Sequence, residues 1–183
     1  NNTITGNRIY SNDWYGIWLD MAATVFNTIE SNVIFGTNQD YGICFRPGAD
    51  NNFILYNEIR NHESGGINFS SGGASNLIAG NCICSNHFHG FYLNGAGTAC
   101  NTIVSNAVFG INQSLGFCFV SGPWSNLILN NDIGEHDRAG IYAERASNNI
   151  IAGNRIYSNA SCGILFTNQN ARDNLIVSNT IFG

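Results

Sequence analysis

A repeat of about 25 residues runs through the whole chain and restricts the possible folds more than any other feature. Each repeat begins with an asparagine, followed two residues later by isoleucine and five residues later by a second asparagine. Isoleucine or valine lies two residues after the second asparagine. The first asparagines are Asn2, Asn27, Asn52, Asn76, Asn101, Asn126, Asn149 and Asn174. The second are Asn7, Asn32, Asn57, Asn81, Asn106, Asn131, Asn154 and Asn179.

Each repeat contains three short segments of alternating side chains, separated by corners rich in asparagine and glycine. Alternation by two directs one set of side chains inward and the other outward. Three short strands per period, with no segment of helix length, predict an all-β fold in which each repeat is one coil of a parallel β-helix. At a strand spacing of about 4.8 Å, about 7.4 coils form a rod roughly 35 Å long. Coils 1 to 8 are numbered here from the eight first asparagines.

The isoleucine columns are expected to stack on themselves and fill the core. The asparagine columns are expected at the corners, where each amide can bond the corner backbone and the asparagine of the next coil. We therefore interpret all sixteen repeat asparagines as a structural ladder rather than as functional residues.

The pattern N-x-I-x-x-N-x-I followed by G-I-x-L, as in Gly16-Ile17-Trp18-Leu19, resembles the right-handed parallel β-helix repeats of the pectin-lyase-like superfamily. Members with this pattern include carbohydrate-binding and sugar-hydrolase repeat proteins, mannuronan-epimerase-like proteins and the periplasmic copper-maturation family. The resemblance covers the chain from Asn2 to Gly183 and implies a single right-handed, single-stranded β-helix domain over residues 1–183. Because it comes from core and corner residues, it is specific for the fold and carries little information on activity.

A longer period of about 74 residues groups the coils in threes, from Asn2 to Asn76 and from Asn76 to Asn149. Coils 2 and 5 each have one extra residue before the glycine of the third segment. An enzyme with one active site does not need periodic outer positions, whereas a fibre or a repetitive ligand-binding surface does. The repeat also starts at Asn1 and stops at Gly183 without a visible cap, and an open end exposes strand edges. These features favour a structural rod, either a filament subunit stacked end to end or a segment of a long adhesin.

Composition excludes some partners. The chain has 30 asparagines, no lysine and a formal charge of −5, so it lacks the basic surface that a nucleic acid needs. No apolar run reaches the length of a membrane-spanning helix. The outward positions of the first segment are largely apolar, as at Leu77, Leu127 and Ile150. Lateral packing against another copy of the chain is the simplest explanation, and coverage by a further segment of a longer chain is the alternative. A rod or adhesin of this kind is expected outside the cell or at its surface.

The alternative function is a β-helix that binds or degrades a polysaccharide. Aromatic residues near acids and arginine can bind sugar rings, although aromatic ladders also simply stabilise a sheet. On the third segment, the candidate glycan-binding residues are Trp18, Asp20, Arg46, Tyr92, Tyr142 and Glu144. A groove along this face would favour the polysaccharide interpretation over the rod.

One cluster has the side chains of a metal site. Cys82 and Cys84 are expected to point outward from one strand, and His87 and His89 follow around the corner. Thiolate and imidazole are ligands for zinc or copper, but the spacing matches no standard zinc finger. Two surface thiols and two corner histidines are the competing interpretation, and no other cofactor is indicated.

A second cluster, Glu135, His136, Asp137 and Arg138, has the groups for acid–base chemistry on a polyuronide. The resemblance argues against such a lyase, epimerase or glycoside hydrolase. Lyases of this superfamily usually use a lysine or arginine base beside calcium-binding aspartates, and lysine is absent here. The Asp-Pro-His motif of mannuronan epimerases and the Gly-His-Gly motif of polygalacturonases are absent as well. No catalytic residue is therefore assigned, and the question of enzyme activity stays open.

Overall fold

The computed structural model describes all 183 residues as β-strands joined by turns, without helices. The strands form three parallel sheets. The first sheet contains β1 (Thr3–Thr5), β4 (Thr28–Glu30), β7 (Phe53–Leu55), β10 (Leu77–Ala79), β13 (Thr102–Val104), β16 (Leu127–Leu129), β19 (Ile150–Ala152) and β22 (Leu175–Val177). The second contains β2 (Arg8–Tyr10), β5 (Val33–Phe35), β8 (Glu58–Arg60), β11 (Cys82–Cys84), β14 (Ala107–Phe109), β17 (Asp132–Gly134), β20 (Arg155–Tyr157) and β23 (Thr180–Phe182).

The third sheet has the longest strands. It contains β3 (Tyr15–Leu19), β6 (Tyr41–Phe45), β9 (Gly65–Ser70), β12 (His89–Asn94), β15 (Leu115–Val120), β18 (Ala139–Glu144) and β21 (Cys162–Thr167). In every sheet each strand pairs with the equivalent strand of the next coil, so the all-β parallel β-helix predicted from the repeat is confirmed. No helix in the structure is long and apolar enough to cross a membrane.

The core is one continuous column between the three sheets. Register pairs such as Ile29 with Ile54 and Ile34 with Ile59 stack identical side chains, and all four are fully buried. Phenylalanine rings stack at the third sheet, where the Phe91 and Phe117 centroids are 4.5 Å apart. Burial of these columns is the main stabilising contribution, at roughly 25 cal/mol for each Å² of apolar surface removed from water.

The asparagine ladders lie at the first two corners of every coil. The Asn106 amide nitrogen donates to the carbonyl oxygens of Ile78 and Val104, at 3.0 and 3.1 Å, and to Asn131 Oδ1 at 3.0 Å. Its own Oδ1 accepts from the backbone and the side chain of Asn81, both at 2.9 Å. The ladder prediction is confirmed, and these bonds explain why the corner amides are buried without loss of hydrogen bonding.

Each corner of these two columns also needs a left-handed residue directly before its ladder asparagine. Ser105 and Asn130 have φ of 55° and 53°, and Gly80 has φ of 67°. For residues other than glycine this conformation costs about 1–2 kcal/mol, which the hydrogen bonds of the following asparagine offset. The requirement explains why serine, glycine and asparagine so often precede the repeat asparagines.

A third polar ladder, which the sequence analysis did not identify, fills the corner between the second and third sheets. Its members alternate in type with a three-coil order and are Asn12, Gln39, His62, Asn86, Gln113, His136 and Asn159. The Gln39 amide nitrogen is 3.4 Å from His62 Nδ1, and the His62 backbone nitrogen donates to Asn86 Oδ1 at 3.2 Å. Polar side chains of different length therefore replace one another in this column.

Packing of the next coil explains the glycine at the second position of the third strand: a Cβ there would meet an isoleucine or valine of the second sheet and, in most coils, a side chain of the third ladder. A Cβ on Gly42 would lie 2.9 Å from His62 Nε2 and 2.8 Å from the Gly66 carbonyl oxygen. A Cβ on Gly116 would lie 2.7 Å from His136 Nε2. The next coil's ladder side chain thus occupies the space that a larger residue would need.

Candidate functional site

The outer face of the third sheet brings together three of the candidate glycan-binding residues in coils 1 and 2. Arg46 Nε lies 4.0 Å from Asp20 Oδ1, and the guanidinium carbon is 6.0 Å from the Trp18 ring centroid. Arg46 also donates to Ser70 Oγ at 3.2 Å. Trp18 is 48% exposed, so its ring remains available to a ligand while arginine and aspartate flank it. We call Trp18, Asp20 and Arg46 the Trp18 cluster.

Two tyrosines that the sequence analysis missed extend this surface. The Tyr15 centroid is 5.4 Å from the Trp18 ring and 6.3 Å from the Tyr41 ring. Simple alternation directs Tyr15 inward. Gly16 faces the interior instead, where a Cβ at this position would meet the Ile34 side chain. The break in alternation before each third-strand glycine moves the preceding residue to the outer face. Burial raises the pKa of Tyr41 to about 12, so its hydroxyl keeps its proton at neutral pH.

The other three candidates lie farther along the same face, in coils 4 and 6. Tyr92 and Tyr142 pack against the buried Leu115, Cys118 and Ala139, which form a small apolar cluster on this outer face. Desolvation is the largest cause of the raised pKa of Tyr92, and the charges of Cys118 and Glu144 also raise it. We call Tyr92, Tyr142 and Glu144 the Tyr92 cluster.

Between the two clusters lie buried polar atoms without partners. Asn68 Nδ2 contacts Cys44 Sγ at 3.7 Å, whereas Asn68 Oδ1 has no hydrogen-bond partner. His89 Nδ1 is also unpaired, and its ring lies 4.9 Å from Tyr92. Burial lowers the pKa of His89 to about 4, so the imidazole is neutral at pH 7. Unpaired buried groups of this kind are costly, and a hydrogen bond from a ligand or a water molecule would remove that cost.

The structure does not assemble the candidate acid–base cluster. His136 is only 1% exposed and belongs to the third ladder, with the Gln113 amide nitrogen 3.4 Å from its Nδ1. Glu135, Asp137 and Arg138 are exposed and form no ion pair with one another. The His136 side chain turns into the corner and takes part in the ladder, so its imidazole is not presented beside the exposed Glu135 and Asp137.

The four candidate metal ligands are not brought together either. No group of three or more His, Cys, Asp or Glu side chains is placed to hold a metal ion. Cys82 and Cys84 flank the buried Ile83 on the second sheet, where a hydrogen bond between the thiols lowers the pKa of Cys82 and raises that of Cys84. His87 is exposed at the corner, and His89 faces outward on the third sheet. The corner separates the thiols from the imidazoles, which is why the cluster does not form. All six cysteines are free.

A groove of about 810 Å³ lies at the corner between the second and third sheets rather than on the third-sheet face. We call it the corner groove. Its lining residues come from coils 2 to 5 and are Thr37, Asn61, His62, Glu63, Ser85, His87, Phe88, Ile111 and Asn112. The extra residue of coils 2 and 5, which is visible in the sequence, lies in the turns on either side of coils 3 and 4 that line this groove.

Two protein-family models match the sequence of this chain. The family model described as "Right handed beta helix region" matches residues 1–126, more than half of the chain. The chain belongs to this family. A second model, described as periplasmic copper-binding protein (NosD), matches residues 98–183. No curated protein sequence matches the chain significantly.

Several solved structures share the fold. A double mutant of the periplasmic alginate epimerase AlgG is 19% identical, with a TM-score of 0.79 over 98% of this chain and 45% of that one. The A-module of the Azotobacter vinelandii mannuronan C-5 epimerase AlgE4 is 19% identical, with a TM-score of 0.83 over 99% of this chain and 53% of that one. The A-module of AlgE6 from the same organism is 16% identical, with a TM-score of 0.82 over 100% and 53%. This chain spans about half the length of these structures, and identities this low establish the fold alone.

Proposed function

We propose that this chain binds a polysaccharide along the outer face of its third sheet. The observation that carries the proposal is the pairing of aromatic rings with hydrogen-bonding and charged side chains in the Trp18 and Tyr92 clusters. An aromatic ring packs against the apolar face of a sugar, while carboxylate, guanidinium and phenol groups orient its hydroxyls. At about 4.8 Å for each coil, Trp18 and Tyr142 are roughly 24 Å apart along the rod, which suits an extended polymer.

The structural neighbours support this proposal over a purely structural rod. AlgG is described as an alginate epimerase, and AlgE4 and AlgE6 as mannuronan C-5 epimerases. Each of these proteins thus acts on a polysaccharide while sharing the present fold. The descriptions of AlgG and NosD as periplasmic also support an envelope or extracellular location for this chain.

Binding, rather than a defined reaction, is what the side chains support. With His136 buried in a ladder, the Glu135–Arg138 segment has no imidazole directed at a ligand. The outer face of the third sheet has Tyr92, Glu144 and the neutral His89, but no two of them form a hydrogen-bonded acid–base pair. No catalytic step is therefore derived from this structure.

Self-association is a second candidate function, favoured by the outer face of the first sheet. Its outward side chains form a continuous row of mostly apolar residues in register, such as Leu77, Thr102 and Leu127. Each of these residues is half-buried in the single chain, and Phe53 at the same face is 38% exposed. Lateral packing of two rods would cover this row. Analytical ultracentrifugation tests it: a concentration-dependent dimer that Leu77→Asp and Leu127→Asp abolish would support lateral packing, and a monomer at high concentration would exclude it.

The polysaccharide proposal is tested by affinity electrophoresis through gels containing alginate, mannuronan or a neutral glucan or mannan. We expect at least one gel to retard the chain, and we expect Trp18→Ala and Tyr92→Ala each to weaken the retardation about tenfold, as for a central aromatic anchor. The matched control is Tyr10→Ala, which removes a 55% exposed aromatic from the outer face of the second sheet. If no glycan retards the chain, or if Tyr10→Ala has the same effect as Trp18→Ala, the proposal fails.

A further inference from the structure

The corner groove owes its shape to the extra residue of coils 2 and 5. That residue makes Thr37 and Asn38 in coil 2, and Ile111 and Asn112 in coil 5, protrude as two ridges three coils apart, roughly 14 Å at the usual strand spacing. Between them, coils 3 and 4 form the floor. A groove of about 810 Å³ lies within the usual size range of ligand sites.

The floor has the chemistry of a sugar site. Phe88 is 48% exposed, and the His87 ring packs edge-on against it, with centroids 4.5 Å apart at 90°. Around this platform the groove is lined mainly by amide, hydroxyl and carboxylate side chains, including Asn61, Glu63 and Ser85. One aromatic surface among several hydrogen-bonding groups fits a ring that has an apolar face and many hydroxyls.

Phe88 is the only aromatic residue at this repeat position that lines the corner groove. The equivalent positions in coil 7 are Ala160 and Ser161, although the ladder residue before them is an asparagine in both coils. In coil 1 the equivalent of Phe88 is Trp14, which is 66% exposed but does not line the corner groove. The core does not require an aromatic residue at this position, since Ala160 and Ser161 occupy it in the same fold.

The groove is joined to the outer face of the third sheet by a row of rings. The Phe88 centroid is 6.2 Å from the His89 ring, which in turn is 4.9 Å from the Tyr92 ring. A ligand bound at the Tyr92 cluster can therefore extend around the edge of coil 4 into the groove and contact an aromatic ring at each step.

The negative charge of the groove favours neutral or basic sugars over acidic ones. Glu63 is the only carboxylate among the lining residues, it has no ion-pair partner, and no arginine lines the groove. A uronate placed beside Glu63 would be repelled by the like charge of its carboxylate. The third-sheet face, in contrast, provides Arg46.

We propose that the corner groove is a subsite for a non-acidic sugar residue of the bound polysaccharide, with Phe88 as its stacking platform. This inference rests on the proposed function, because the sugar in the groove belongs to the chain held on the third-sheet face.

The test is isothermal titration calorimetry with cellohexaose, mannohexaose and a glucosamine hexamer as non-acidic probes and hexamannuronate as the acidic probe. We expect a non-acidic probe to bind most tightly and Phe88→Ala to weaken its binding about tenfold. Trp14→Ala is the matched control, since it removes an even more exposed aromatic from the same repeat position outside the groove, and the affinity of this variant should equal that of the parent chain. Because Phe88 is half-exposed, the variant should remain folded, which a thermal melt verifies.

Two results overturn the subsite. Tighter binding of hexamannuronate than of every non-acidic probe contradicts its charge, and equal affinities of Phe88→Ala and the parent chain contradict the platform. If Trp18→Ala and Tyr92→Ala still weaken polysaccharide retention in either case, only the subsite fails and the proposed function stands. If the parent chain binds no glycan, the proposed function fails first.

Discussion

All three corner ladders link neighbouring coils through hydrogen bonds, but the first two use only asparagine, whereas the third also uses glutamine and histidine. In the first two, every member is asparagine, and each amide bonds both its own corner and the next coil, as Asn106 does. In the third, the imidazoles of His62 and His136 replace amides in every third coil, and each leaves Nε2 buried without a partner. Uniform ladders cannot titrate, whereas the third ladder contains imidazoles that burial keeps neutral in the folded chain and that take up protons in mild acid only on unfolding. We therefore expect the third corner to contribute most of the acid sensitivity that distinguishes it from the two uniform ladders.

The largest expected effect is therefore a loss of stability in acid. Burial lowers the pKa of His62 and of His136 to about 4, against about 6.5 in the unfolded chain. Arg60 lowers the pKa of His62 slightly further, whereas Asp137 and backbone hydrogen bonds act in the opposite direction on His136. Between these two pH values the unfolded chain binds more protons, so the stability is complete above pH 6.5 and decreases as the pH falls toward 4.

At pH 5 each imidazole should lower the free energy of unfolding by about 2 kcal/mol relative to pH 7. The buried His89, whose pKa is also about 4, adds to the decrease from the third-sheet face. Urea titrations at half-unit intervals of pH measure the effect. A free energy of unfolding that stays constant from pH 7 to pH 5 would show that the histidines are not buried as described.

The second expected effect concerns a uniform ladder. Asn106→Ala removes three donated hydrogen bonds and leaves the Asn81 backbone nitrogen and amide without their acceptor. We expect a loss of about 3 kcal/mol in the free energy of unfolding, since several buried groups lose their partners together. Because asparagine does not titrate, the loss should be the same at pH 7 and at pH 5.5. A loss that grows in acid would contradict the distinction between the ladders.

How much of this was predictable from sequence differs between the two kinds of ladder. The uniform ladders repeat one residue type at one spacing, so Asn81 and Asn106 identify their columns directly. The third ladder alternates among asparagine, glutamine and histidine, and an extra residue in coils 2 and 5 shifts its spacing. His136 therefore appeared to be a free imidazole among acids, although the recurring glycine that its column requires, Gly116, was visible.

The outer faces were predictable only where strict alternation holds. Trp18 and Tyr92 were assigned to the third-sheet face because they alternate with core residues such as Ile17. Tyr15 was missed because the inward-facing Gly16 interrupts the alternation. The corner groove depends on the distance between protruding turns in non-adjacent coils, and neither periodicity nor residue type contains that distance.

The smallest expected effect is that of replacing an imidazole with an amide inside the third ladder. His136→Asn places at this position the residue that Asn86 and Asn159 already provide in the same ladder. At pH 7 the shorter side chain leaves a small void beside Gly116 and should cost about 1 kcal/mol. At pH 5 this cost should disappear or reverse, because one buried imidazole no longer takes up a proton on unfolding.

The matched control for His136→Asn is His87→Asn, which changes an exposed histidine at the same type of corner one residue after a ladder position. The control should leave the dependence of stability on pH as it is in the parent chain. Urea titrations of both variants at pH 7 and pH 5 provide the comparison. If the two substitutions alter the pH dependence equally, the third ladder does not hold its histidines in a special environment. If only His136→Asn flattens it, the pH sensitivity of the rod arises where imidazole replaces the amide of a ladder.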